Sequence, residues 1–347
     1  MAAEVEPITS CVERMNQGPS IFYISSRGSS ACEWLAKMLS RHPQVVCFRS
    51  TRSFPPYGPN IEHPESSPDD FMEGLLECTR AIHGEKVFGS THGYHGVLAK
   101  EACEQRGGIF SYVIRHPIVR VHSAYIFYLY MEYYKKFGIP VENKDIHDRV
   151  CSNILVNSDL MKYTKVFEPN MQEVANSSPQ DFIKKSIKKA LPDSVVKNLA
   201  ALKRGFSQKG RYVATLKSGT MDNIPDEREY ASIRFVALAS EFLRCDYELF
   251  EGCSSTCGIK MEEMVKSKEY FKNHLFKLVA PQLDISDAYL DSVFNEPRFN
   301  VHRDQALSPL EIWESWPQGM KDVFMKYFES YNISAVCKAF DYDVSFL

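Results

Sequence analysis

Short apolar runs alternate with amphipathic segments along much of this chain. Strands are predicted at Ile21–Ser25, Val45–Phe48, Lys86–Ser90, Ile109–Ile114 and Ser232–Leu238. Each run is short and rich in apolar or β-branched residues, and helical patterns separate the runs. This alternation predicts an α/β fold with a mainly parallel sheet flanked by helices on both faces.

The segments between and after these runs complete the predicted organisation. Thr51–Pro68 carries five prolines and is predicted as an irregular loop before a helix that begins near Asp69. The chain from Asp148 to Leu202 has a helical pattern, and Gly205–Arg228 is predicted to be rich in loops. Apolar residues at helical spacing between Ile312 and Phe328 predict a helical C-terminal part.

Length and charge narrow the class of protein. The 347 residues are 44% hydrophobic, so the chain can bury a sizeable core. We expect an N-terminal tail over residues 1–18 and a single domain over residues 19–347. The 41 basic and 44 acidic residues leave a net charge of −3, which argues against nucleic acid as a partner. Any site for an anion must therefore be local.

The cysteines and the N-terminal residues indicate the compartment. Ten cysteines at irregular spacings are typical of reduced thiols rather than of a disulfide framework. The first 18 residues contain three glutamates and no apolar stretch, and no window is long and apolar enough to span a bilayer. We therefore expect a cytoplasmic protein that does not bind membranes.

Two loops that follow predicted strands have the chemistry of an anion site. The first strand leads into Arg27, Gly28, Ser29, Ser30, Ala31 and Cys32, and the fourth strand leads into Arg115. Loops at the carboxyl ends of parallel strands present backbone N–H groups and helix N-termini to anions. Arginine adds a bidentate charge. A helix start capped by serine is the alternative explanation of the first loop, and the position between a strand and a helix favours anion binding over it. The G-x-x-x-x-G-K-[ST] pattern of a nucleoside triphosphate site is absent from the sequence.

The residues after the fourth strand match a spaced motif. Arg115, Pro117, Arg120 and Ser123 match the pattern R-x-P-x-x-R-x-x-S. In this the chain resembles sulfotransferases that use 3′-phosphoadenosine-5′-phosphosulfate (PAPS), whose fold is P-loop-like. The resemblance implies that Arg115 and Ser123 hold the 3′-phosphate of the nucleotide. Arg120 has two open readings, a phosphate contact or an anchor of the helix through an acidic neighbour.

The first loop resembles the family's phosphosulfate loop, [K/R]-S-G-[T/S]-T-W-L, in part. Trp34 and Leu35 fit, and this register places Ser30 on the family's serine. The same register places Ser29 on the cation, Ala31 on the glycine, Cys32 on the next Thr or Ser, and Glu33 on the phosphate-binding threonine. A carboxylate beside a phosphate is repulsive. A second register, rebuilt around Arg27 to Ser30, would let Arg27 supply the missing charge, and the sequence leaves both registers open.

Further segments resemble other family elements. Ser90-Thr91-His92 is similar to the K-T-H element that carries the general base, with serine in place of lysine, and His95 is the fallback for that role. The histidines here lack a recognised metal-ligand spacing, so no metal is expected. Ser232–Leu238 looks like the late strand R-[Y/F]-E-x-L, with Val236 in place of the acid. Arg303 is a candidate third contact to the 3′-phosphate.

Taken with the resemblance, these residues imply transfer of a sulfuryl group from PAPS to a hydroxyl or amine of a small-molecule acceptor, with PAP as product. His92 would be the general base and Arg27 the cation at the leaving phosphate. The alternative is a sulfotransferase-like nucleotide-binding or scaffold protein with little or no activity, since Ser29, Ala31 and Glu33 depart from the pattern. The sequence leaves a homodimer open.

Overall fold

The computed structural model describes residues 21–26, 31–49, 67–81, 86–92, 96–167, 226–295 and 307–347, with backbone only at 79–81, 92 and 166. Its strands are β1 (Ile21–Ser25), β2 (Val45–Arg49), β3 (Val87–His92), β4 (Ile109–Ile114) and β5 (Gly258–Lys260). Its α-helices are α1 (Cys32–Leu39), α2 (Pro68–Ala81), α3 (Leu98–Glu104), α4 (Pro117–Leu129), α5 (Ile146–Arg149), α6 (Met161–Phe167), α7 (Glu227–Gly252), α8 (Met261–Met264), α9 (Lys268–Tyr270), α10 (Lys277–Val279), α11 (Asp287–Phe294), α12 (Pro309–Ser315), α13 (Gln318–Ser330) and α14 (Ile333–Ala339). Short 3-10 helices lie at Asn143–Asp145 and Ser255–Cys257. Short π-helices lie at Tyr130–Tyr134, Val150–Ile154 and Phe271–Phe276.

The described strands form one parallel sheet in the order β2-β3-β1-β4-β5. β1 lies at the centre, and all five of its residues are buried. Strands covered on both faces read as nearly continuous apolar runs, which explains the sequence Ile-Phe-Tyr-Ile-Ser in β1. The predicted α/β class with a parallel sheet is confirmed.

Helices cover both faces of the sheet. On one face, Phe22 of β1 belongs to a buried cluster with Trp34 of α1 and Phe271. On the opposite face, the ring of Tyr23 lies edge-on to that of Phe71 in α2, with centroids 6.0 Å apart. The alternation of side chains along β1 therefore sends α1 and α2 to different faces.

A glycine in β3 makes room for the first of these faces. Gly89 pairs with Phe22 across the β1–β3 ladder. A Cβ atom placed on Gly89 would lie 2.2 Å from the Phe22 ring. Any side chain larger than hydrogen would therefore have to displace this buried ring.

The described residues fall into two compact units. The first unit includes the sheet and draws on Met1–Arg120, Arg244–Asp304 and Asn332–Leu347, and the second draws on Val121–Leu243 and Gln305–Tyr331. In the second unit Trp316 is buried with its ring 5.4 Å from Phe235 and 5.5 Å from Phe324. Its indole N–H donates to Nδ1 of His122 at 3.3 Å. The expectation of one domain over residues 19–347 stays a prediction.

One predicted strand is wrong. Ser232–Leu238 lies inside the 26-residue helix α7. Almost every residue of this segment is buried, and the ring of Phe235 contacts those of Tyr125 and Trp316. A continuous apolar run of this length does not distinguish a strand from an enclosed helix. The helix begins at Glu227, so Glu227 and Arg228 of the predicted loop Gly205–Arg228 are helical.

The other predicted elements can be compared directly. β1 and β4 have the predicted bounds, β2 extends one residue further than predicted, and β3 begins at Val87 and extends to His92. The helix predicted near Asp69 begins at Pro68, and α12 and α13 confirm the helical C-terminal part. Residues 51–66, 168–202 and 205–225 of the predicted loops and helices lie outside the described residues.

Each cysteine that the structure describes is a free thiol. Among the described helices, none has the length and apolar character needed to cross a bilayer.

Candidate functional site

The carboxyl ends of three neighbouring strands define the candidate site. β1 pairs with β3 on one side and with β4 on the other, all in parallel. Ser25, the last residue of β1, pairs with His92, the last residue of β3. β4 continues two residues beyond the Ser25–Tyr112 pair, and Arg115 follows it directly. The backbones of His92 and Arg115, two predicted site residues, therefore lie at one edge of the sheet on either side of β1.

The residue before the helix that follows β1 has a backbone conformation that suits glycine. Ala31 precedes α1 with φ 56° and ψ 23°, in the left-handed region. Its carbonyl oxygen accepts a hydrogen bond from the Leu35 N–H at 2.9 Å, so the helix starts here. Alanine has no side-chain oxygen, so Ala31 does not cap the helix with its own side chain. The predicted loop residues Arg27, Gly28, Ser29 and Ser30 lie outside the described residues.

Cys32 ties the start of α1 to two strands. Its Sγ atom lies 3.2 Å from Oγ of Ser26 and donates to the Ser26 carbonyl oxygen at 3.4 Å. Its own carbonyl oxygen accepts a hydrogen bond from Oγ1 of Thr91 at 3.1 Å. Burial raises the pKa of the Cys32 thiol. The side chain of this predicted cofactor-binding residue is thus a neutral, buried contact within the protein.

The carboxylate that breaks the loop pattern has a cationic partner. Nη1 of Arg49, the last residue of β2, donates to Oε2 of Glu33 at 2.8 Å. Both side chains are partly exposed. The sequence analysis does not single out Arg49. The signal that could have found it is its place at the end of an apolar strand, just as Arg115 follows one.

Arg115 is a charged group in a poorly solvated place. Burial lowers the pKa of its guanidinium to about 10, while the nearby Glu262 carboxylate acts in the opposite direction. The group therefore remains a cation at neutral pH. A cation that has lost part of its hydration gains more from an anionic partner than an exposed one does.

The backbone that carries Arg115 is held by groups from α8 and the C-terminal segment. The N–H of His116 donates to Oε1 of Glu262 at 3.1 Å, and the hydroxyl of Tyr342 donates to Oε2 at 2.7 Å. Nε2 of His116 lies 3.0 Å from the carbonyl oxygen of Asp343, and a carbonyl only accepts, so Nε2 carries the proton. These contacts fix the direction in which the chain leaves β4.

The structure shows the acidic neighbour that the anchor reading of Arg120 requires. Its side chain is fully buried and donates to the carboxylate of Asp246 on α7. Burial raises the pKa of Asp246 to about 6, and Arg120 opposes this. Arg120 therefore links α4 to α7.

The remaining predicted residues are placed as follows. Ser123 lies on α4 and is partly buried. The backbone of His92 is described, whereas its side chain, His95 and Arg303 lie outside the described residues. Among the described residues, no group of three or more His, Cys, Asp or Glu side chains is arranged to hold a metal ion.

No protein-family model matches the chain, and comparisons with curated proteins and with solved structures return no match.

Proposed function

We propose that this protein binds PAPS at the carboxyl edge of its sheet and transfers the sulfuryl group to a hydroxyl or amine of a small-molecule acceptor. The observation that carries the proposal is the left-handed backbone of Ala31. In the register anchored on Trp34, Ala31 occupies the glycine position of the phosphosulfate loop. The conformation found there is the one that glycine adopts without strain.

The order of the strands supports a binding crevice at the same place. β1 leads through α1 to β2, whereas β3 leads through α3 to β4 on the other side of β1. Because α1 and α2 cover opposite faces and α3 packs with α2, the helices that follow β1 and β3 lie on opposite faces of the sheet. Ligands of open α/β sheets bind in the crevice that such a divergence leaves.

The residues that follow β5 also support the proposal, because they match the family pattern of the late strand in part. The pattern R-[Y/F]-E-x-L was expected at Ser232–Leu238, which is helical. β5 runs instead into Lys260-Met261-Glu262-Glu263-Met264, which has a base, an apolar residue, an acid and a second apolar residue at the corresponding positions. Glu262, the acid of this match, is the residue that fixes the backbone of His116 beside Arg115.

The proposed reaction needs one base and several cations. His92 takes the proton of the acceptor O–H or N–H, since imidazole titrates near neutral pH. The acceptor atom then forms its bond to sulfur while the bond from sulfur to the phosphate oxygen breaks, and PAP leaves with the electron pair. Arg27 compensates the charge that grows on this phosphate, and Arg115 with Ser123 holds the 3′-phosphate. We propose no metal for this step.

A protein that binds the nucleotide without transferring the sulfuryl group is the second candidate. It is favoured by Glu33, which brings a carboxylate to the first turn of α1, where the family has threonine. Ser29 in the cationic position of the loop points the same way. This candidate shares the fold and the PAP site with the first and differs only in chemistry.

Two measurements on the full chain test the proposal. Thermal unfolding with and without PAP asks whether the nucleotide binds, because a ligand of the folded state raises the melting temperature. Radiolabelled PAPS with a set of small phenols, alcohols and amines asks whether transfer occurs. Stabilisation with labelled product supports the enzyme, and stabilisation without product supports the binder. An unchanged melting temperature at millimolar PAP would reject both.

A further inference from the structure

We infer that Arg49 supplies the positive charge for the 5′-phosphate of the donor that Ser29 fails to supply, and that Glu33 holds Arg49 in position for it. This inference rests on the proposed function, because it names a specificity-determining residue of the same site. It concerns residues of β2 and α1 that the structure describes in full.

The first step is the position of Arg49. It is the last residue of β2 and pairs with Thr91 of β3, one residue before His92. Thr91 in turn donates to the carbonyl oxygen of Cys32 at the first residue of α1. The strand that carries Arg49 therefore ends at the edge of the sheet where α1 begins.

The second step is the direction of its side chain. Nη1 of Arg49 lies 2.8 Å from Oε2 of Glu33, the second residue of α1. Arg49 also acts to lower the pKa of the Cys32 thiol, against the larger effect of burial, so its charge is felt at the first residue of the helix. The guanidinium thus lies beside the first turn, which Ala31 at its N-terminus does not cap with a side chain.

The third step is the hydrogen-bonding capacity that remains. A guanidinium has five N–H donors in a planar fork. The bond to Glu33 uses Nη1, and the buried Nε has no hydrogen-bond partner among the described residues. With a side chain 31% exposed, Arg49 also remains accessible to a ligand. Arginine in such a position suits bidentate recognition of a phosphate.

The role of Glu33 follows from its charge. A carboxylate near the helix N-terminus is favourable for the helix but repels a bound phosphate. Its ion pair restricts the rotamers of Arg49 and compensates the carboxylate at the same time. Arg49 then acts as a binding residue, and Glu33 acts through it as a positioning residue.

The test compares two nucleotides that differ only at the 5′ end. PAP carries both phosphates, whereas adenosine 3′-phosphate lacks the 5′-phosphate. We expect Arg49→Met to weaken PAP binding about tenfold or more in calorimetry and to leave binding of adenosine 3′-phosphate unchanged. Arg115→Ala should weaken both ligands. Arg106→Met is the matched control, because Arg106 also pairs with acids, Asp69 and Glu73, but away from this edge.

Glu33→Gln separates binding from a structural ion pair. The glutamine still accepts a hydrogen bond from Arg49 but no longer repels the phosphate, so PAP should bind more than about twofold more tightly than to the unaltered chain. If the pair is only structural, Arg49→Met and Glu33→Gln will lower the melting temperature similarly and leave PAP affinity within twofold, which overturns the inference. Failure of the unaltered chain to bind PAP at all would instead reject the proposed function, and this inference with it.

Discussion

The hydroxyl of Thr91 donates a 3.1 Å hydrogen bond to the carbonyl oxygen of Cys32. Thr91 is the penultimate residue of β3, and Cys32 is the first residue of α1. This contact joins the strand that ends in His92 to the helix that begins at the candidate phosphate loop. Loss of the hydroxyl should therefore disturb both the stability of the protein and the geometry of the loop.

Thr91→Val replaces this hydroxyl with a methyl group of similar shape. Both partners are buried, so the Cys32 carbonyl loses a bond that water cannot replace. We expect the free energy of unfolding in urea to fall by about 1–2 kcal/mol. Thr91→Ser keeps the hydroxyl and should therefore retain most of the stability that the valine variant loses. Equal stability of the valine variant and the unaltered chain would show that the hydrogen bond is not needed.

Ala31 offers a test of the loop register. Ala31→Gly should leave stability unchanged or raise it by up to about 1 kcal/mol, because glycine adopts the left-handed conformation without strain. Ala31→Val should lower it by about 1–2 kcal/mol, since a β-branched residue is strained there. Ala36→Gly in the middle of α1 is the matched control and should be destabilising by about 1 kcal/mol. Urea unfolding of the three variants measures these values, and equal losses for both glycine variants would contradict the left-handed assignment.

Gly89→Ala should disrupt the packing of Phe22 on the face of the sheet that α1 covers. The added Cβ would lie 2.2 Å from the ring of Phe22, which is fully buried. We expect a loss of about 1–3 kcal/mol in the free energy of unfolding. Phe22→Leu replaces the ring with a smaller side chain. The double variant should therefore lose less free energy of unfolding than the sum of the two single losses. Simple additivity in this double-mutant cycle would show that the two residues do not compete for space.

Stability at acidic pH should depend on Glu227 in the second unit. Arg149 donates two hydrogen bonds to its carboxylate, both at 2.7 Å, and these lower the pKa of Glu227 below its ordinary value of 4.5. Because the folded state holds the charged form more strongly, the stabilisation is present above that value and is lost as pH falls through the lowered pKa. Glu227→Gln should flatten the decline of stability below pH 4.5. A decline of the same steepness in urea unfolding of both proteins would contradict this assignment.

The sheet and the candidate site differ in how far the sequence predicts them. β1 and β4 have the predicted bounds because strands buried on both faces leave continuous apolar runs. Ser232–Leu238 gives the same signal from inside an enclosed helix, so the run alone does not decide between the two. Arg115 was predicted because a spaced motif surrounds it. Arg49 also ends an apolar strand, but no spaced motif surrounds it, and its partner Glu33 is 16 residues away in the sequence.

The central claim, a PAP site at the carboxyl edge of the sheet, is tested most directly by calorimetric titration of the full chain with PAP. The account predicts saturable binding to the unaltered chain and at least tenfold weaker binding to Arg115→Ala, because a charge-assisted hydrogen bond contributes about 1.5–3 kcal/mol. Arg106→Ala, the matched loss of one arginine, should bind as the unaltered chain does. Equal PAP affinity in Arg115→Ala and the unaltered chain, or no binding to either, would contradict the account.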